Sequence, residues 1–264
     1  MTIKSARMKV VILCGGLGTR LREETEFRPK PMVPVGERPI LWHIMKTYAH
    51  YGHKEFILCL GYKGEAIKDY FRNYHWNTSD VTLQLGAKPK IKYHSRNAEE
   101  DWTVTMIDTG PDTMTGGRVK RVLPYIKDEN FLLTYGDGVT DSDINATIKY
   151  HKKQKRILTM TAVQPPGRFG DLEIADGKVV AFREKPERQA AFINGGYFVV
   201  NRSIGKYLGD DRTVFEQEPM AGLAAAEELG AYEHRGFWQC MDTFREQQLL
   251  TNLWNSGKAP WKVW

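Results

Sequence analysis

The amino-acid sequence predicts an α/β fold, a mostly parallel sheet flanked by helices with antiparallel additions. Short apolar runs, typical of buried parallel strands, alternate with segments of helical periodicity from Met8 onwards. Repeated β-α-β units of this kind place helices on both faces of a parallel sheet. Two other regions carry strand patterns with no helix between them, which indicates the antiparallel additions. Together these patterns predict a Rossmann-like architecture.

The parallel core begins with the apolar strand "MKVVIL". The next segment, "PILWHIMKTYAHYG", has helical spacing, with Pro39 near its start and Gly52 as a stop signal. A helix is also predicted from Asp143, where acidic residues open it and the basic run at 151–156 closes it, as the helix dipole favours. The parallel strands are predicted at 8–13, 55–60, 131–135 and 157–163, and a further helix at 65–74.

The antiparallel additions are predicted in two places. Residues 81–108 read as three successive strands, and residues 171–182 as a hairpin turning at Asp176-Gly177, a dipeptide that favours tight hairpin turns. After Phe215 the pattern predicts a helix, a short strand and a helix. We expect a single domain over 1–264, made of an extension (1–7), an α/β core (8–214) and a C-terminal helical region (215–264) that completes the site.

Composition restricts the class of protein. The 264 residues contain three scattered cysteines, an odd number without metal-like spacing, which argues against a disulfide framework and favours a reducing cytoplasm. No apolar run approaches the roughly 20 residues that span a bilayer. The net charge of +6 is compatible with nucleic acid, a membrane surface or small polyanionic substrates. Because the basic residues fall in loops and at helix ends rather than along one stripe, nucleic acid is the weakest of these.

The loop after the first strand, "CGGLGTRLREETEFRPKPM", predicts an anion site. It lacks the third glycine of a dinucleotide fingerprint and the acidic residue about 20 positions on, and it is not a GxxxxGK[ST] loop. A glycine-rich turn still presents backbone N–H groups to an anion. Thr19 and Arg20 add donors suited to phosphate oxygens, and Lys30 is held between two prolines. A plain strand-to-loop bend is the alternative for this stretch taken alone.

Asp137 in "YGDG" is a candidate functional carboxylate, and an aspartate of a tight turn is the alternative. It follows a buried strand, so it emerges at the carboxyl edge of the sheet, where ligands bind in open α/β folds. Asp242, taken alone, is better interpreted as the N-cap of the helix "TFREQQLL". For Arg118 in "RVKRV", one interpretation is that it lies on the solvent-exposed face of a helix.

The segments "GGLGTRL…RPKPMVPVGERPILWHIM", "TYGDGV", "FREKP" and "INGGYFV" resemble the sugar-1-phosphate nucleotidyltransferases, enzymes of the nucleotide-diphospho-sugar transferase fold. "MTGGR" and "GFWQCMDT" are similar to the branch of that family that uses CTP and glucose 1-phosphate. The resemblance extends from Met8 to Trp264. It implies synthesis of CDP-glucose for deoxysugars and surface polysaccharide such as O-antigen, in a cytoplasmic homo-oligomer that uses Mg²⁺ and binds neither nucleic acid nor membrane.

The resemblance also implies roles for individual residues. Asp137 and Asp242 would hold the metal, Arg20, Lys30, Asp137 and Lys185 would be catalytic, and Glu184, Lys185 and Asn194 would bind the sugar phosphate. The nucleotide would be bound by Leu13, Cys14, Gly15, Gly16, Leu17, Gly18, Thr19, Arg20, Lys30, Thr113, Arg118 and Gly136. Two alternatives stay open: the same reaction with dTTP, UTP or another sugar phosphate, and a non-catalytic sugar-nucleotide-binding regulator.

Overall fold

The computed structural model describes residues 7–94, 101–165, 171–183 and 191–264. The strands are β1 Lys9–Leu13, β2 Pro34–Val35, β3 Arg38–Pro39, β4 Glu55–Leu60, β5 Val81–Gln84, β6 Lys90–Tyr93, β7 Thr103–Asp108, β8 Asn130–Tyr135, β9 Gly138–Thr140, β10 Leu158–Val163, β11 Asp171–Ala175, β12 Lys178–Arg183, β13 Ile193–Asn201, β14 Leu229–His234 and β15 Trp238–Cys240. The helices are α1 Arg22–Thr25, α2 Ile40–His50, α3 Gly64–Arg72, α4 Tyr74–Thr78, α5 Thr115–Val122, α6 Ile144–Gln154, α7 Glu218–Ala225 and α8 Phe244–Asn255.

The predicted α/β class is confirmed. Within the described residues the central sheet has seven strands in the order β14-β10-β13-β8-β1-β4-β7. Neighbouring strands run parallel except at β13, which is antiparallel to both β10 and β8. The segment "INGGYFV" therefore contributes the one reversed strand of this sheet, which the sequence patterns did not reveal.

Helices cover both faces of the sheet. Because alternate residues of each strand point to opposite sides, a strand can contribute side chains to two cores. In β1, Val10 and Ile12 belong to the core under α2, α6 and α8, whereas Val11 and Leu13 belong to the core under α5 and α7. All four of these side chains are buried, as expected of a strand with two covered faces.

Two expectations need correction. The strand predicted at 102–108 is not an antiparallel addition: β7 pairs parallel with β4 and forms an edge of the main sheet. Only β5 and β6, inserted before it, form a separate hairpin. After Phe215 the two expected helices are present, but they enclose two strands in place of the one expected: β14 joins the main sheet and β15 forms a ladder with β9. The hairpin of β11 and β12 is as predicted, with φ of 50° and 74° at Asp176 and Gly177, the left-handed conformations of a tight hairpin turn.

A cluster of aromatic side chains joins the C-terminus to the start of α2. Trp261 is fully buried, and its indole N–H donates to Nδ1 of His43 at 3.3 Å. Because an indole nitrogen can only donate, Nδ1 is the acceptor and Nε2 carries the proton that it donates to Val35 O at 2.9 Å. Burial lowers the pKa of His43 to about 4 and keeps it neutral. The cluster, with Trp42, Trp254 and Trp264, thus anchors β2 immediately after the loop that carries Lys30.

Among the described residues, no helix has both the length and the apolar character that crossing a bilayer requires.

Candidate functional site

The glycine-rich loop leaves β1 at the carboxyl edge of the sheet and is held in a tight bend. Gly18 has φ of 64°, and a Cβ there would lie 2.7 Å from Thr25 Cγ2. The Thr25 hydroxyl oxygen lies 3.1 Å from Gly18 O and 3.0 Å from Leu21 O, so its one hydrogen is shared between these two carbonyls. Glycine is favoured at this position because a side chain would be strained in the left-handed conformation and would press against Thr25.

Beside this loop lies a cavity of about 530 Å³, which we call the large cavity. It is lined by the loop, by the residues before and at the start of α5, and by the end of β8. Every residue that the resemblance assigns to nucleotide binding contributes to it: Leu13, Cys14, Gly15, Gly16, Leu17, Gly18, Thr19, Arg20, Lys30, Thr113, Arg118 and Gly136. Gly136 has no room for a side chain, since a Cβ would lie 2.8 Å from Pro31 Cγ and 2.9 Å from Leu13 O.

A second space of about 200 Å³, the small cavity, adjoins the first. It is lined by the ends of β8 and β13 and by β15, and it includes Asn194, which was assigned to the sugar phosphate. Arg20, Tyr135 and Asp137 line both cavities. Glu184 and Lys185, the other residues assigned to the sugar phosphate, lie outside the described residues.

The two aspartates meet at the junction of the cavities because β9 and β15 pair there. Asp137 stands directly before β9 and Asp242 shortly after β15, in a ladder that aligns Gly138 with Cys240. The backbone adds a bond from Met241 N to Asp137 O at 2.8 Å. The alternative role of Asp242 as the residue that caps α8 is wrong, because the Thr243 side chain forms that cap.

Lys30 lies between the two carboxylates. Its Nζ is 2.5 Å from Asp137 Oδ2 and 2.5 Å from Asp242 Oδ1, and Arg20 Nη1 is 2.7 Å from Asp242 Oδ2. Burial by itself would lower the pKa of Lys30, but the charges and hydrogen bonds of Asp137 and Asp242 outweigh it and raise that pKa. The ammonium is therefore positive in this arrangement and balances the paired carboxylates.

The donor set at the junction fits a magnesium ion. Mg²⁺ commonly takes one or two carboxylates from a protein and completes its octahedron with phosphates and water. Asp137 and Asp242 already direct one oxygen each at the same cation, the Lys30 ammonium. In the part of the chain that the structure describes, no group of three or more His, Cys, Asp or Glu residues could hold a metal ion. A metal here would thus depend on substrate oxygens for its remaining ligands.

Arg118 is buried, with 4% of its surface exposed, so its interpretation as a solvated helix face is wrong. The guanidinium donates from Nη1 to Leu60 O, Thr109 Oγ1 and Gly110 O, and from Nη2 to Gly15 O and Pro111 O, over 2.7 to 3.2 Å. It therefore ties the glycine-rich loop to the ends of β4 and β7. Burial lowers the pKa of this guanidinium.

Sequence reasoning missed Tyr135, which forms the wall between the cavities. Its hydroxyl donates to Glu216 Oε1 at 2.5 Å. Burial, and then the charge of Glu216, raise the pKa of Tyr135, so the phenol stays protonated. Its position two residues before Asp137 was the available signal. Glu216 had none, because it lies 81 residues from its partner and in no motif.

Comparison with known proteins identifies the family of the chain. The model of the nucleotidyl transferase family matches residues 9–239. The chain is 55% identical over 258 residues to the glucose-1-phosphate cytidylyltransferase of Salmonella typhimurium, covering 97% of this chain and 100% of that protein. It is 44% identical, with the same coverage, to the probable glucose-1-phosphate cytidylyltransferase of Bacillus subtilis.

Among solved structures, HddC from Yersinia pseudotuberculosis matches with a TM-score of 0.68 at 22% identity, over 94% of this chain and 99% of that one. A UDP-glucose pyrophosphorylase in complex with UDP-glucose matches with a TM-score of 0.67 at 14% identity, over 95% and 99% of the two chains. At these identities the structural matches show a shared fold.

Proposed function

Because the chain belongs to the nucleotidyl transferase family, we propose that it transfers the cytidylyl group of CTP to glucose 1-phosphate, giving CDP-glucose and pyrophosphate. The observation that carries the choice of base and sugar is the 55% identity to a glucose-1-phosphate cytidylyltransferase over nearly the whole chain. We propose that residues 1–264 act as one nucleotidyltransferase domain, in which the C-terminal region brings Asp242 to the site.

The geometry of the two joined cavities supports this reaction. CTP occupies the large cavity, with its phosphates against the glycine-rich loop, and glucose 1-phosphate occupies the small one. A phosphate oxygen of the sugar phosphate attacks the α-phosphorus of CTP, a P–O bond forms, and the bond to the pyrophosphate oxygen breaks opposite to it. The nucleophile is already an anion, so no side chain has to remove a proton. The chain has to bring two polyanions together and stabilise charge in the transition state.

Arg20 and Lys30 supply that stabilisation from the junction of the cavities. Arg20 presents a planar fork of donors that matches phosphate oxygens. Lys30 is held positive by its two carboxylate neighbours. We assign Lys185 and Glu184, with Asn194, to the sugar phosphate by resemblance; of these, Asn194 lines the small cavity.

Enzymes of this family typically use a divalent metal ion, and we propose that here it is Mg²⁺ held by Asp137 and Asp242. When bound, the ion neutralises phosphate charge and orients the α-phosphate for in-line attack. Asp137 and Asp242 would hold this ion, and Lys30, which contacts both carboxylates, would then be available to the phosphates. We further propose that the protein works in the cytoplasm as a homo-oligomer, in deoxysugar and surface polysaccharide synthesis.

The proposal is tested by pyrophosphate release over a panel of nucleoside triphosphates and sugar 1-phosphates. CTP with glucose 1-phosphate is expected to give the highest kcat/KM. Equal or better turnover with UTP, dTTP or another sugar phosphate would replace the assigned pair. Absence of release with every pair would favour a non-catalytic regulator, a class that the relatives do not support.

The metal assignment is tested by Asp137→Asn, which removes one charge and retains the shape of the side chain. We expect loss of metal-dependent turnover. The melting temperature should not change, because the Asp137 side chain lies at the site and not in the hydrophobic core. Near-normal activity in the variant would overturn the assignment.

A further inference from the structure

The segment at 211–216 lies directly on the first turn of α5, and two glycines permit this contact. Gly116 N donates to Thr213 O at 2.9 Å, and a Cβ on Gly116 would lie 2.8 Å from that same oxygen. A Cβ on Gly117 would lie 2.7 Å from Asp211 Cα. The "TGG" of this chain thus brings a distant segment to the mouth of the large cavity.

At that mouth Glu216 accepts hydrogen bonds from two hydroxyl groups. Tyr135 OH donates to Oε1 at 2.5 Å and Thr115 Oγ1 to Oε2 at 2.7 Å. Thr115 Oγ1 in turn accepts from Phe215 N at 2.9 Å. A carboxylate can only accept, so the hydrogens of both hydroxyls are directed toward Glu216. The carboxylate therefore determines the orientation of the Tyr135 hydroxyl.

The hydroxyl of Tyr135 also contacts Asn194. Its oxygen lies 3.4 Å from Asn194 Nδ2, while Asn194 Oδ1 accepts from Gly196 N at 2.8 Å. The bond from a backbone N–H identifies Oδ1, so the amide group is oriented with its NH₂ toward Tyr135 and the small cavity. The Tyr135 ring is confined as well: it lies edge-on to Phe198, and a Cβ on Gly196 would lie 2.5 Å from its Cδ2.

We propose that Glu216 is a positioning residue for the sugar phosphate: it orients Tyr135, and through Tyr135 the amide of Asn194, toward one hydroxyl of the sugar. The inference rests on the proposed function, since it takes the small cavity as the sugar site. Glu216 itself touches neither substrate. We therefore expect replacement of Glu216 to weaken binding of the sugar phosphate and to leave the role of Asp137 unchanged.

The test compares Glu216→Ala, Glu216→Gln and Tyr135→Phe in steady-state kinetics, with Glu218→Ala as a control for loss of a nearby exposed carboxylate. Glu216→Ala should raise the KM for the sugar phosphate roughly five- to tenfold and leave kcat and the KM for CTP within about twofold. Glu216→Gln should restore most of the loss, because its carbonyl accepts from Tyr135 and its amide donates to Thr115. Tyr135→Phe combined with Glu216→Ala should be no worse than either alone.

Deoxy analogues of the sugar phosphate distinguish positioning from general destabilisation. For the analogue that lacks the hydroxyl bound by Asn194, the penalty of Glu216→Ala should disappear. An equal penalty on every analogue, or failure of Glu216→Gln to rescue, would overturn the inference. If the wild-type protein turns over a different sugar phosphate, the proposed function fails, and the same comparison made with that sugar still decides the role of Glu216.

Discussion

Replacing Arg118 by methionine should destabilise the fold and disorder the glycine-rich loop. Arg118 is buried and its guanidinium contacts five oxygen acceptors, of which four are backbone carbonyls. Methionine fills a similar volume but supplies no donor. The carbonyls of Leu60 and Gly15, at the ends of two neighbouring strands, would lose their shared partner.

The expected loss of stability follows from the number of N–H hydrogens that the Arg118 guanidinium can donate. Nη1 and Nη2 carry four hydrogens between them, and each net hydrogen bond is worth about 1 kcal/mol. Part of this total of about 4 kcal/mol is offset, because burying a guanidinium without a carboxylate partner is itself costly. We therefore expect a loss of about 3 kcal/mol, or a fall in melting temperature of roughly 6 to 12 °C for a chain of this size.

Thermal and urea denaturation of the two proteins measure this loss. Arg121→Met is the matched control: Arg121 is on the same helix but exposed, and it forms an ion pair with the exposed Asp211, so the substitution should change stability little. A loss below about 1 kcal/mol for Arg118→Met would refute the reasoning, because it would mean that water or a rearranged loop satisfies these carbonyls equally well.

Three further predictions concern charge, pH and packing. The Lys30→Met variant should bind Mn²⁺ roughly tenfold more tightly in the absence of nucleotide, because the substitution removes the ammonium that competes for the two aspartates. Electron paramagnetic resonance measures this binding, and weaker binding would contradict the arrangement at the junction. The pKa of His43 is lowered from 6.5 to about 4, so between these values the unfolded state binds a proton that the folded state excludes. Stability from this residue is thus complete above pH 6.5 and falls by about 3 kcal/mol as the pH drops to 4, and His43→Gln should flatten that slope in denaturant titrations. Gly117→Ala should cost about 1 to 3 kcal/mol of unfolding free energy because its Cβ meets the backbone of Asp211. Its control, Gly222→Ala in α7, meets only an ordinary contact at 3.4 Å and should be neutral or stabilising.

The elements that the sequence predicted well are those with local signals. β4 was placed at 55–60 and the hairpin turn at Asp176-Gly177, as the structure has them. β7 was placed in the wrong class because a hairpin inserted before it hides the β-α-β pattern. The reversed strand β13 was not recognised, since strand direction is set by pairing partners and leaves no mark on the strand itself.

The site residues also differ in whether a local sequence pattern reveals them. Arg20, Lys30 and Asp137 could be selected from sequence because glycine-rich loops and a carboxylate after a buried strand have local patterns. Glu216 could not, because no local pattern brings it to its partner Tyr135.

The sequence by itself therefore determined the fold class, the anion-binding character of the first loop and the residue types available for phosphate and metal. Only the tertiary structure decided that Lys30 lies between Asp137 and Asp242, which are 107 and 212 residues away along the chain. The physical reason is that such contacts depend on which strands become neighbours in the sheet. That order results from the packing of the whole chain, whereas periodicity reports only on a few consecutive residues.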